Sequence, residues 1–123
     1  MSVVLVFGTF DVFHNGHDYF LTRARELGDR LVVGVARDAH VRALKGHTPI
    51  QDQETRLERV RRHPCVSDAV LCDEMLGQYE IVLRVRPDLI ALGFDQGQLE
   101  VNLRSWMKGQ GMDIPVVVIA SYD

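Results

Sequence analysis

Two observations predict an α/β fold, a Rossmann-like open sheet of five parallel strands with helices on both faces. Five short, apolar, largely β-branched runs recur along the chain, as strands covered on both sides require. Between them lie segments whose apolar residues repeat with helical spacing, so each strand is followed by a crossover. Right-handed crossovers then leave few topologies.

Val3 to Phe7 reads as the first strand, stopped by Gly8. Phe20, Leu21, Ala24 and Leu27 form one face of a helix over Gly16 to Leu27, with Asn15 as its N-cap and Gly28 as its stop. Leu31 to Ala36 is the second strand, followed by a short helix over Ala39 to Leu44 and a Gly- and Pro-punctuated loop from Lys45 to Ile50. Asp52 can cap a charged helix to about Arg62, with Leu57 and Val60 facing inward. Ala69 to Cys72 is a third strand, Gly77 to Val85 a helical pattern, and Asp88 to Leu92 a fourth strand. Leu99, Leu103, Trp106 and Met107 make an amphipathic stripe, stopped by Gly109 and Gly111, before a fifth strand over Val116 to Ile119.

The 123 residues suffice for one domain, 1–123, and leave no room for a second. A formal charge of −3 argues against nucleic-acid binding, which needs a basic face. Cys65 and Cys72 lack the spacing of a zinc or redox pair, so a cytoplasmic, reducing setting is expected. No apolar run approaches membrane-spanning length, and none reads as a signal segment.

Open parallel sheets bind ligands beyond the carboxyl ends of their strands, at the switch point. That rule brings together Gly8 to His17, Arg37-Asp38 and Gly93-Phe94-Asp95. At a helix start, unpaired N–H groups attract phosphate, and His14 and His17 add two donors aimed at the same anion. Gly8 lets the backbone approach a ligand or makes a tight turn, and Gly16 either clears space for a phosphate or merely begins the helix. Lys45 could neutralise leaving pyrophosphate, or be a solvated lysine. Arg56, poorly placed for its helix dipole, wants an anion, which could be Glu54 or Glu58. Asp38 and Asp95 are each a nucleotide contact or a helix cap. Magnesium delivered with a nucleotide would find Asp11 as its protein carboxylate, whereas no further ligand supports a zinc site on Asp11, His14 and His17. Gly-x-Gly-x-x-Gly, the Gly-Lys-Ser/Thr phosphate loop, the nucleophile elbow and Cys–His protease patterns are all missing from the sequence.

Gly8-Thr9-Phe10-Asp11 followed by His14-Asn15-Gly16-His17, and then Leu27-Gly28-Asp29-Arg30-Leu31-Val32-Val33-Gly34-Val35, resembles the signature of the cytidylyltransferase-like nucleotidyltransferases. Ala36-Arg37-Asp38, Lys45 to Ile50, Glu54-Thr55-Arg56, Pro87-Asp88 and Leu92 to Gln96 are similar to archaeal-type FAD synthetases. Glycerol-3-phosphate cytidylyltransferases and the adenylyltransferase domain of heptose-phosphate synthesis share much of this frame. The resemblance implies that an acceptor phosphate attacks the α-phosphorus of ATP or CTP and pyrophosphate leaves. FMN is the leading acceptor and glycerol 3-phosphate the alternative; Mg²⁺ and a homodimer are also implied. Carried over, His14, His17, Lys45 and Arg56 handle the phosphates, while Gly8, Thr9, Phe10, Asp11, Gly16, Asp38, Gly93 and Asp95 surround the nucleotide. The late Ser/Thr-rich motif of that superfamily has no counterpart beside Ala120-Ser121-Tyr122-Asp123, so a non-catalytic nucleotide-binding relative is the competing expectation.

Overall fold

The computed structural model describes residues 2–122. Its elements are β1 (Val3–Gly8), α1 (Asn15–Arg25), β2 (Arg30–Val35), α2 (Asp38–Lys45), α3 (Gln53–Arg61), β3 (Asp68–Leu71), α4 (Glu80–Val85), β4 (Leu89–Gly93), α5 (Gly97–Gly109) and β5 (Val116–Ile119). The five strands form one sheet in the order β3-β2-β1-β4-β5, and all four pairings are parallel. The chain runs outward from β1 to β2 and β3, then returns to the other side of β1 for β4 and β5. The switch point therefore lies between β1 and β4.

Side chains alternate across each strand, and the two faces build two cores. On one, Val4, Val6, Leu31, Val33, Ala69 and Ala91 pack against Leu21 and Ala24 of α1 and Leu57 and Val60 of α3. On the other, Leu5, Val32, Ile90 and Leu92 pack against Ile81 and Val82 of α4 and Leu103 and Met107 of α5. Helices therefore cover both faces, as expected.

The first helix ends two residues earlier than the apolar pattern suggested. Leu27 falls beyond α1 and is exposed. Its N-cap is His14 rather than Asn15. The pattern over Gly77 to Val85 yields helix only from Glu80, because Gly77 takes a left-handed φ of 84°. Lys45 ends α2 instead of opening the loop, and Gly46 caps that helix with a φ of 78°. Asp52 caps α3 as expected, accepting from the Thr55 N–H at 2.8 Å. Among the described residues no helix is long and apolar enough to cross a membrane.

Candidate active site

The β1–α1 turn is built around a ring. Phe10 is almost fully buried, with a left-handed φ of 55°, and its side chain folds back over Gly8. A Cβ on Gly8 would stand 2.6 Å from that ring, so position 8 must be glycine for Phe10 to close the turn. The Phe10 side chain is therefore part of the core. Its ring lies 5.3 Å from that of His17 and supports it from behind. Val12 is also left-handed, at φ 48°, a strained state for a β-branched side chain.

His14 and His17 cap the helix reciprocally. The His14 Nδ1 accepts from the Gly16 N–H at 3.0 Å, and the His17 Nδ1 accepts from the His14 N–H at 3.3 Å. A Cβ on Gly16 would come within 2.9 Å of the His14 ring, so this glycine makes room for a histidine. The two imidazoles stack 3.8 Å apart. A ring nitrogen that accepts a main-chain N–H carries no proton, so each neutral ring holds its proton on Nε2. The cap thus presents two Nε2–H donors side by side. It also occupies one of the helix-start amides that sequence reasoning offered to a phosphate.

Burial pushes the His17 imidazole down to about 4, helped by the neighbouring His14 and by Lys45 and opposed by Asp11 and Asp95. His17 is neutral at physiological pH. The charges of Lys45, Asp11 and Asp95 thus lie within electrostatic range of the His17 ring.

Arg56 does not face this space. It is wholly shielded from solvent, and its guanidinium is consumed by protein: Nε donates to the Gln51 carbonyl at 3.0 Å, one terminal nitrogen to the carbonyls of Thr9 and Ala36 at 2.8 Å each, and the other to Asp38 Oδ1 at 2.7 Å. The anion expected for Arg56 is Asp38, not a phosphate and not Glu54 or Glu58. Asp38 in turn is not the cap of α2. Its second oxygen accepts from the Gln53 N–H, and the N-cap of α2 is Arg37. Thr9 enters through its carbonyl. The pair pulls the β1 end, the β2 end and the loop before α3 together.

Asp11 performs a similar task. Its two oxygens accept from the N–H groups of Ile50 and Gln51 at 2.8 and 2.9 Å. Desolvation works to raise its pKa, but those two bonds, with Arg56 and Lys45, hold the carboxyl below the usual carboxylate range. The carboxylate at the site with no hydrogen-bond or ion-pair partner among the described residues is instead Asp95, which is exposed in the β4–α5 turn after Gly93. It does not cap α5, whose N-cap is Gln96.

Sequence reasoning missed two features. Gln96 links β1 to β4 through its side chain, which the residue order alone does not reveal. A cavity of about 410 Å³ opens at the ends of β2 and β3, lined by Arg37, Cys72, Asp73, Gln78 and Arg84 among others. It opens at the sheet end to which β1 also runs, since Ala36 donates to the Gly8 carbonyl and Cys72 to that of Val35. Burial pushes the Cys72 thiol up to about 12, so it stays protonated there.

A parallel sheet with two neutral imidazole donors, a lysine and a free carboxylate at its switch point defines a nucleotide-handling α/β protein. The model of the cytidylyltransferase-like family matches residues 5–118, and the chain belongs to that family. It is 44% identical to the FAD synthase of Methanothermobacter thermautotrophicus over 125 residues, covering 99% of this chain and 82% of that protein. The FAD synthase of Methanosarcina barkeri is also 44% identical, over 97% of this chain and 84% of its own length. Among solved structures, the lipopolysaccharide core biosynthesis protein from Thermoplasma volcanium superposes with a TM-score of 0.89 at 38% identity, over 100% of this chain and 99% of that one.

Proposed function

We propose that this nucleotidyltransferase moves AMP from ATP to the phosphate of FMN, producing FAD and pyrophosphate. The donor and acceptor rest on the relatives named FAD synthase, which match nearly the whole chain. The observation that carries the chemistry is the pair of Nε2–H donors fixed by the His14–His17 cap.

An oxygen of the FMN phosphate attacks the α-phosphorus of ATP. A new P–O bond forms as the bond from that phosphorus to the bridging oxygen breaks, and pyrophosphate departs with the electron pair. No covalent intermediate on the protein is needed, so catalysis consists of positioning and charge stabilisation. His14 and His17 donate to the α-phosphate oxygens, where negative charge grows as the phosphorus becomes crowded. Neutral donors suit this role, because they are already oriented and need no proton transfer. Lys45 offsets phosphate charge beside them. The cavity beyond Arg37 offers room for the acceptor.

No group of three His, Cys, Asp or Glu side chains among the described residues could hold a metal. Mg²⁺ would instead arrive on triphosphate oxygens, with the exposed Asp95 as its protein carboxylate, since Asp11 is engaged by two amides. When bound, the ion neutralises charge on the triphosphate.

The test pairs ATP and CTP against FMN, glycerol 3-phosphate and a sugar 1-phosphate, scoring pyrophosphate. ATP with FMN is the expected pair. Preference for CTP with glycerol 3-phosphate would overturn the assignment. Preference for the sugar phosphate would overturn it too, and nucleotide binding without release of pyrophosphate would favour a non-catalytic relative.

A further inference from the structure

Backbone pairing between β1 and β4 stops one residue short of the site. The last partners are Val6 and Ala91, whereas β1 remains paired with β2 as far as Gly8 and Val35. Past Val6 the two central strands part, and the Phe7 carbonyl and Gly93 N–H are left facing the gap. The side chain of Gln96 closes it. Its Oε1 accepts from the Gly93 N–H at 2.7 Å, and its Nε2 donates to the Phe7 carbonyl at 2.9 Å. A carboxamide supplies an acceptor and a donor on one planar group without depending on pH, and Gln96 is partly buried, which limits substitution by water.

This bridge sits between the two halves of the site. Phe7 leads directly into the turn that carries the histidines, and Gly93 leads into the turn that carries Asp95. The Gly93 Cα is tightly covered, since a Cβ there would meet Asp95 Oδ1 at 3.1 Å and Gln96 Oε1 at 3.5 Å. Asp95 and Gln96 are thus folded back together over the strand end. Resting on the reading of this site as a nucleotide site, we propose that Gln96 is a positioning residue: its carboxamide replaces the missing rung between β1 and β4, and so sets the spacing at which Asp95 and the His14–His17 pair share one bound nucleotide.

The test measures binding of a non-hydrolysable ATP analogue by calorimetry, together with steady-state kinetics, for Gln96→Glu and Gln96→Leu. Glu keeps the acceptor for Gly93 but sets a carboxylate oxygen against the Phe7 carbonyl; Leu removes both bonds. Each variant should bind the analogue about tenfold more weakly and show a raised KM for ATP, with KM for FMN within about twofold of the parent. Asp95→Asn should weaken binding too, and combining it with Gln96→Leu should add little, as for residues acting as one unit. A folded Gln96→Leu protein that binds the analogue like the parent overturns the proposal. Loss of the fold in both variants overturns it as well, because Gln96 would then hold the sheet and not the site. Analogue binding needs no acceptor, so a parent protein that never transfers AMP to FMN would sink the proposed reaction while leaving this test readable.

Discussion

Arg56 and Asp38 meet at 2.7 Å with the guanidinium entirely out of solvent, 18 residues apart in sequence. Three main-chain carbonyls complete the guanidinium's surroundings. A buried charge is tolerable only when paired and hydrogen-bonded in this way. The ion pair is therefore a joint between segments.

Because an ammonium cannot span four acceptors, Arg56→Lys should behave as a broken buried pair and cost about 3 to 5 kcal/mol of stability. Urea unfolding measures this. An unfolding midpoint equal to that of the parent would show that Arg56 is not held as described.

His14 performs two tasks that substitution can separate. His14→Ala removes the cap and the Nε2 donor, so it should cost about 1 kcal/mol of stability and on the order of a hundredfold in kcat. His14→Asn restores an N-cap acceptor without a donor to the phosphate. Its melting temperature should return toward the parent's while kcat stays low; recovery of both would contradict the donor role.

Gly8→Ala should push the Phe10 ring out of its seat, since the new methyl would lie 2.6 Å from a ring carbon. Overpacking of this kind costs about 1 to 3 kcal/mol. Thermal unfolding reads the loss, and pairing the change with Phe10→Leu should recover part of it.

His17 makes stability depend on pH. The unfolded chain takes up a proton near the ordinary histidine value of 6.5, but the folded chain does so only at about 4. Between these values the unfolded state binds more protons, so stability rises with pH across that window and is lost as pH falls through it. Relative to His17→Gln, the parent should therefore weaken as pH drops from about 6.5 towards 4, a difference that chemical denaturation at stepped pH would reveal. Parallel pH profiles for the two proteins would mean that His17 is not desolvated.

The site was legible wherever local rules act. His14 and His17 stand out because a strand, a turn and a helix start fall in sequence within one short stretch, and Asp52 announces its own cap. Arg56 was misread for an instructive reason. On a charged helix an arginine looks solvated, and nothing local shows that carbonyls from Thr9, Ala36 and Gln51 converge on it. The main-chain partners of Asp11 and Asp38 were hidden in the same way, because they come from loops 15 to 40 residues away in the chain. Gln96 was passed over because its bridge joins Phe7, 89 residues distant.

The sequence by itself determined the alternation of strands and helices and the histidine motif, since hydrophobic period, caps and glycine turns act over a few residues. Only the tertiary structure decided which charged groups remain free to meet a ligand. Arg56 and Asp11 hold loops, while Asp95 has no hydrogen-bond or ion-pair partner among the described residues. That division depends on which main-chain donors and acceptors are left unpaired when distant segments close around β1, and burial then compels the nearest charged side chains to pair with them.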